Sequence, residues 1–274
     1  MSKDPVIWLN GESLPASRAT LSPFDQGLLR GDGVFETLRA YSGEPFAVAE
    51  HCERLAHAAT VFGFLVPDRD TLEGAMQEVL RANQLLSHKE DARIRITVTG
   101  GSKQSGVMTA PECPTVMVTA EPIASINPTA SVLVVPFTRN PRSATAGIKT
   151  TSYAENSLAL RYVRQRRYDE AIMADTEGHL CEAATSNVFI LLEGRLLTPP
   201  LSTGCLPGVT RGLVLAAARR KGIEVLEEKV AVTALERSEG AFLTSSLREL
   251  QPVVRVGETD IPTCADLCAN LAIR

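Results

Sequence analysis

Several features are scarce in this chain of 274 residues, and each scarcity removes a class of protein. No apolar run approaches the roughly 18 residues that a membrane-crossing helix needs. Neither sign of charge dominates: 28 Lys and Arg stand against 32 Asp and Glu, and the net charge of −4 gives no footing for nucleic acid or an acidic membrane surface. The six cysteines, at 52, 113, 181, 205, 264 and 268, contain no Cys-x-x-Cys pair. Cys264 and Cys268 are helix-spaced but have no histidine near them in sequence. Reduced thiols in a cytoplasmic protein are expected, and no metal site. There is no internal repeat. Neither Gly-x-Gly-x-x-Gly nor Gly-Lys-Ser/Thr follows the glycines at 31 and 33, so a nucleotide-cradling loop is set aside. Residues 1–10 hold Asp4, Pro5 and a strand-like Val6-Ile7-Trp8-Leu9, which is not the pattern of a signal peptide.

What is present is ordinary for a folded protein. Apolar residues make up 44% and charged residues 22%, so disorder is not expected, and the length suits two domains of common size. Residues 6–9 lead into Asn10-Gly11, the pattern of a strand entering a hairpin. Gly31 and Gly33 allow a tight loop, after which residues 34–41 alternate as a strand up to a Ser42-Gly43 turn. Residues 47–62 place Val48, Leu55, Ala58, Ala59 and Phe62 on one helical face. The same helix sets His51 and Arg54 three residues apart, as neighbours. Arg54 is there either a solvated helix cation or a site residue, and His51 either packs or serves a site. A second amphipathic helix is expected over 71–86 and strands over 93–99 and 114–120, and the Pro, Ser, Asn and Thr content of 121–129 marks a linker.

Beyond the linker, strand 132–135 and helix 154–167 are expected, then strands 170–173 and 186–191 around a turn at Gly178. An alanine-rich helix is punctuated by Pro207 at its start and Gly222 at its end. Lys149 stands between an apolar neighbour and the hydroxyl-rich Thr150-Thr151-Ser152-Tyr153. A lysine amine is a solvated cation at neutral pH, but burial and nearby positive charge lower its pKa and make it a nucleophile. Glu182 lies among small and apolar neighbours, where a freely solvated acid is not the default. The free N–H groups at Val209 and Thr210 offer a phosphate site, and Thr244-Ser245-Ser246 at a strand end offers a second anion nest. An amine, an isolated carboxylate, a helix-borne arginine and two anion nests together suit pyridoxal 5'-phosphate. That cofactor needs an amine for its aldehyde, an acid at its ring nitrogen and donors for its phosphate.

Five blocks, in order, carry a resemblance along nearly the whole chain. They are Gly31-Asp32-Gly33-Val34-Phe35-Glu36-Thr37, Glu50-His51-x-x-Arg54-Leu55, Lys149-Thr150-Thr151, Glu182-x-x-x-x-Asn187-Val188-Phe189 and Leu206-Pro207-Gly208-Val209-Thr210-Arg211. In them the chain resembles the class IV aminotransferases of pyridoxal-phosphate fold type IV. That family includes branched-chain aminotransferases, D-amino-acid transaminases and 4-amino-4-deoxychorismate lyases. The resemblance implies an α/β, two-domain fold like that of D-amino-acid aminotransferase. A smaller N-terminal α/β domain would span 1–120 and a larger C-terminal α/β domain 128–274, with pyridoxal 5'-phosphate in the cleft between them, in a homodimer.

The same resemblance assigns roles. Lys149 would bind the cofactor covalently and shuttle the α-proton, and Glu182 would pair with the pyridine nitrogen. Arg54, Thr210 and Ser246 would hold the phosphate with the backbone N–H groups of Val209 and Thr210, while Ser245 falls where the family often has glycine. Tyr153 is similar to a tyrosine that branched-chain members place against the cofactor's phenolic oxygen, although it arrives one residue early. Arg30, Phe35, Thr37 and Arg95 are the substrate-side residues. Arg30 replaces a usual tyrosine of the branched-chain group and Thr37 a usual glycine. Arg95 matches a strand arginine of that group, and either receives a substrate carboxylate or pairs structurally. Gly100 stands where D-amino-acid transaminases carry an arginine, and the loop 101–106 is expected at the substrate mouth. The favoured activity is amino-group transfer between a branched-chain-like or other small amino acid and a 2-oxo acid. The alternative is a lyase that releases pyruvate and 4-aminobenzoate for folate synthesis.

Overall fold

The computed structural model describes residues 4–86, 91–102 and 113–273, and in it the chain divides into two compact units. One comprises Met1–Ala124 with Ile148–Tyr153, the other Ser125–Gly147 with Ala154–Arg274. The lysine-bearing stretch therefore packs with the first unit, although its chain neighbours on both sides belong to the second.

In the first unit, β1 (Val6–Leu9) and β2 (Glu12–Pro15) form the hairpin that Asn10-Gly11 announces. There follow α1 (Gln26–Arg30), β3 (Gly33–Tyr41), β4 (Glu44–Pro45), α2 (Val48–Phe62), α3 (Arg69–Ala82), β5 (Ala92–Thr99) and β6 (Thr115–Pro122). The strands make one antiparallel sheet in the order β2-β1-β6-β5-β3-β4. Period-two alternation sorts its faces. Val34 and Leu38 of β3 and Ile94 and Ile96 of β5 turn to the core, where Leu55 and Ala59 of α2 and Met76 and Leu80 of α3 cover them. Fully burying one such side chain contributes about 1.5–3 kcal/mol. The intervening positions, among them Phe35, Thr37, Arg95 and Thr97, lie on the other face, with Thr37 opposite Arg95 and Phe35 opposite Thr97.

Two expectations are corrected here. The helix expected to reach Leu86 stops at Ala82, because Asn83 is captured by tertiary bonds. Its Oδ1 accepts from Val6 N–H at 2.9 Å and its Nδ2 donates to Val6 O at 2.7 Å, and Gln84 then turns at φ 61°. The stretch before Gly31 holds a short helix, α1, where only a loop is expected. Asp25 caps it by accepting from Gly27 N–H at 2.8 Å, while Leu28 and Leu29 are exposed, so no apolar stripe marks it in the sequence.

The second unit runs through β7 (Ala130–Arg139), α4 (Ala154–Arg164), β8 (Glu170–Asp175), β9 (Leu180–Ala183), β10 (Asn187–Leu192), β11 (Arg195–Thr198), α5 (Val209–Arg220), β12 (Val225–Glu227), β13 (Gly240–Ser245), β14 (Glu249–Val256), β15 (Thr259–Asp260) and α6 (Ala265–Asn270). Its mixed sheet is ordered β12-β11-β10-β13-β14-β7-β8-β9, with β15 beside β14. Pairing is parallel at β11–β12, β14–β7 and β7–β8, and antiparallel elsewhere. Phe189 of β10 and Phe242 of β13 stack at 4.8 Å, packed with Val214 and Ala218 of α5 and Leu271 beyond α6. Ala159 and Val163 of α4 pack with Ala171 and Met173 of β8. The helix α4 ends at Arg164 rather than at the expected Arg167, which itself adopts φ 65°. The strand β9 is not anticipated, because its four residues are all buried and show no alternation.

Candidate active site

The first unit places Lys149 by backbone rather than by side-chain contacts alone. Phe35 N–H donates to Lys149 O at 3.0 Å, and Thr151 N–H donates to Gly33 O at 2.8 Å, so the lysine segment lies along the start of β3. The two glycines of the Gly31-Asp32-Gly33 motif make this approach possible. A Cβ on Gly33 would stand 2.6 Å from Thr151 Oγ1, and one on Gly31 would stand 2.2 Å from Ser152 Oγ. Gly31 also has φ 71°, and its carbonyl accepts from the Thr151 hydroxyl at 3.0 Å.

Around Lys149 the side chains centre on the ring of Phe35. Lys149 Nζ is 4.3 Å from the ring centroid, the Arg95 guanidinium carbon 3.8 Å, and the Tyr153 ring meets it edge-on at 5.4 Å. Two cations over one aromatic ring are held by its quadrupole. Arg95 also donates through Nε to Thr97 Oγ1 at 3.2 Å, and burial, then the charge of Arg93, pulls its pKa below the usual arginine value. Thr37 lies across from Arg95 in the strand register. Arg30 is exposed at the end of α1. Of the loop expected at the substrate mouth, residues 103–106 lie outside the described residues.

Arg54 is held from the core side of the same strand. Glu36 takes it fork-on, with Nε to Oε1 and Nη2 to Oε2, both at 2.7 Å, and His51 Nδ1 lies 2.7 Å from Oε2. Burial alone would push the Glu36 carboxyl up. The charge of Arg54, its two hydrogen bonds and His51 outweigh that, and hold the carboxyl at about 2. Sequence reasoning gave Glu36 no role, yet a signal was available: it falls in phase with Val34 and Leu38, a carboxylate on the apolar face of a strand.

In the second unit, Glu182 sits in β9 at 7% exposure. Its Oε1 accepts from Arg139 Nε at 3.1 Å, and its Oε2 from the Leu206 N–H at 2.9 Å. Arg139, at the end of β7, also donates to Glu155 at 3.2 Å and to Asn156 Oδ1 at 3.3 Å, and Asn156 Nδ2 donates to Ala184 O at 2.7 Å. Arg139 was missed from the sequence, where it is one arginine 43 positions from its partner carboxylate.

The segment into α5 is equally fixed. Asn187 Nδ2 donates to Leu206 O at 2.8 Å, and a Cβ on Gly208 would stand 2.0 Å from Asn187 Oδ1. Gly208 is the N-cap of α5 and no side chain caps its first amides, while Thr210 is buried behind them. Thr244, directly opposite Asn187 in the sheet, has a buried hydroxyl without a hydrogen-bond partner among the described residues, as does Ser186. Orphaned buried hydroxyls beside an uncapped helix start are what a polar ligand at this end would satisfy. Ser245 and Ser246 follow Thr244 in the chain. The donor set thus fits a phosphate, and Glu182 with its cationic support fits a protonated ring nitrogen.

Each unit, then, carries a cluster of chemistry-bearing groups of its own. A lysine amine and a guanidinium share one aromatic ring in the first, and the second carries a buried carboxylate braced by an arginine together with a helix start that its N-cap side chain does not cap. The chain belongs to the family described as amino-transferase class IV, whose model matches residues 33–256. It is 33% identical over 256 residues to a putative branched-chain-amino-acid aminotransferase of Methanocaldococcus jannaschii, covering 91% of this chain and 87% of that one. It is 30% identical over 263 residues to the aminodeoxychorismate lyase of Bacillus subtilis, covering 93% and 88%. A branched-chain amino acid aminotransferase of T.th., solved in complex with N-(5'-phosphopyridoxyl)-L-glutamate, superposes with a TM-score of 0.89 at 27% identity, covering 99% of this chain and 92% of that one. The expected fold type IV architecture and aminotransferase class are thereby established for an enzyme.

Proposed function

We propose that this aminotransferase uses pyridoxal 5'-phosphate to move an amino group between a branched-chain-like or other small amino acid and a 2-oxo acid, by two half-reactions. The observation that carries the reading is the placement of Lys149 Nζ and the Arg95 guanidinium on one ring, Phe35: an amine for chemistry at nitrogen and carbon, and a cation for a carboxylate. When bound, the cofactor supplies an aldehyde that takes up an amine and a protonated ring that accepts the electron pair of a broken α C–H bond. Lys149 Nζ would hold that aldehyde in the resting enzyme and would move the proton at the substrate α-carbon. Glu182 would hold the proton at the ring nitrogen, and Arg139 keeps the Glu182 carboxylate aimed. Arg54, the Val209 and Thr210 amides, Thr210, Ser245 and Ser246 would bind the phosphate. Tyr153 would serve the cofactor's phenolic oxygen. Arg30, Phe35, Thr37 and Arg95 receive the substrate.

A homodimer is part of the proposal, supported by Phe24, Leu28 and Leu29, which are 57%, 70% and 57% exposed within one short stretch of the first unit. A cytoplasmic location is also proposed. No described helix is long and apolar enough to cross a membrane. The second reading, 4-amino-4-deoxychorismate lyase, is favoured by the likeness to the Bacillus subtilis lyase. One experiment separates the two. The cofactor-loaded protein is mixed with single amino acids, D and L, or with 4-amino-4-deoxychorismate. Release of a 2-oxo acid with conversion of the cofactor to its amine form supports transfer. Pyruvate and 4-aminobenzoate from the chorismate compound alone would replace it with the lyase.

A further inference from the structure

The strands β13 and β14 stay paired up to Ser245 opposite Glu249, so only Ser246, Leu247 and Arg248 lie between them. Glu249 closes this tight turn with φ 56°, and Ser245 Oγ accepts from Arg248 N–H at 3.2 Å. The Arg248 side chain is largely buried. Its Nη2 donates to Glu170 Oε2 at 3.1 Å, and its Nη1 donates to Gln251 Oε1.

Glu170, at the start of β8, has no exposed surface. Its Oε1 accepts from Ala171 N–H at 2.9 Å, and its Oε2 also accepts from the Thr185 hydroxyl. Burial pushes its carboxyl up, with Arg248 the leading opposing influence. Thr185 lies between β9, which carries Glu182, and β10, which carries Asn187. Gln251 Nε2 in turn donates to Asn127 O at 2.6 Å and Thr129 O at 3.2 Å, on the chain entering β7. The guanidinium therefore ties the Ser245–Ser246 turn to β8 directly and, through Gln251, to the chain entering β7. None of these bonds is required by the sheet itself.

We propose that Arg248, clamped by Glu170, is a positioning residue that fixes the Ser245–Ser246 turn in a phosphate-accepting conformation. The inference rests on the pyridoxal-phosphate reading above. A short turn left loose would have to be ordered by the ligand, and that ordering is subtracted from affinity. The planar fork of an arginine reaches Glu170 and Gln251 together, which a lysine ammonium does not reproduce.

The test is equilibrium binding of pyridoxal 5'-phosphate to the apo-protein, read by absorbance titration and by the phosphorus resonance of the bound phosphate. The double variant Glu170→Gln, Arg248→Met removes the network without leaving a buried charge. It is expected to bind the cofactor about tenfold more weakly, with a broadened phosphorus resonance and an apo-protein melting temperature close to the parent's. Should the double variant fail to fold, Arg248→Lys decides, since it keeps the charge. A loss of about threefold, with kcat restored at saturating cofactor, supports the proposal, being a fraction of the about tenfold that 1.4 kcal/mol represents. Unchanged affinity and an unchanged resonance in a folded variant overturn it. If the parent itself bound no pyridoxal 5'-phosphate, the functional reading and this inference would fall together, an outcome distinct from parental binding that the variants leave untouched.

Discussion

Glu36 and Glu182, buried glutamates of different units, both meet an arginine, and they do so in opposite senses. Glu36, at 1% exposure, takes Arg54 fork-on through two nitrogens and adds His51. Glu182 accepts from Arg139 Nε with one oxygen and from a backbone amide with the other. The first geometry spends the carboxylate on orienting its arginine, since a planar fork matched to a carboxylate fixes the guanidinium in direction as well as place. The second uses the arginine to orient the carboxylate, and Arg139 is itself anchored by Glu155 and Asn156. In the proposed function the residue that faces the cofactor is accordingly Arg54 in one unit and Glu182 in the other.

The largest expected effect comes from neither glutamate but from the Lys149 amine. Lys149→Ala should lower amino-group transfer by about 10³-fold or more, within the span that a positioned proton-transfer group contributes. The variant should still bind pyridoxal 5'-phosphate non-covalently, and borohydride treatment of the parent should label Lys149. A label on any other lysine would remove the assignment. Next in size is Glu182→Gln, of nearly equal volume. The amide holds a ring-nitrogen proton poorly, so single-turnover α-proton removal should slow by about 10²-fold, or roughly 2.7 kcal/mol at 1.4 kcal/mol per decade. Near-parental rates would mean that Glu182 is merely structural, and the contrast with Glu36 would collapse.

Glu36 should show itself through stability and pH. Its carboxyl lies at about 2 in the folded protein against an ordinary value of 4.5, so the folded state binds this proton more weakly than the unfolded one. The stabilisation is complete above pH 4.5 and is lost as the pH falls from 4.5 towards 2. At 1.36 kcal/mol per unit it amounts to about 3 kcal/mol. Denaturant midpoints measured across that range should fall steeply for the parent. In Glu36→Gln they should start lower, because the half-buried Arg54 loses the Glu36 charge, and should change less with pH. Equal slopes for the two proteins would place the acid sensitivity elsewhere.

How much of this was legible in the sequence depends on whether local pattern or tertiary contact decided the outcome. The hairpin at Asn10-Gly11, the alternation of β3, the helix α2 and the punctuation of α5 by Pro207 and Gly222 are local, and they could be read. The end of α3 could not, because bonds from Val6 to Asn83 set it. The roles of Gly31 and Gly33 were half legible. Their freedom was plain, but its use, admitting Thr151 and Ser152 from far along the chain, belongs to the fold. Glu36 was readable from its phase in β3. Arg139 was not, since nothing near it in the chain records Glu182.

The smallest effect, and the one that sharpens the comparison most, is expected from Arg54→Lys. An ammonium keeps the charge, so Glu36 stays paired and the fold should lose only about 1 kcal/mol, the worth of one hydrogen bond. What a lysine cannot keep is the planar fork that lets one edge engage Glu36 while the group remains aimed in a fixed direction. If that direction points at a phosphate, the variant should retain pyridoxal 5'-phosphate about tenfold less well through dialysis, and added cofactor should restore activity with the amino-acid preference unchanged. If the fork served packing alone, the melting temperature would fall slightly and cofactor retention would not move. A third result, cofactor retained through dialysis but a changed choice of amino acid, would transfer Arg54 to the substrate side and leave Glu36 orienting a specificity residue instead of a phosphate ligand.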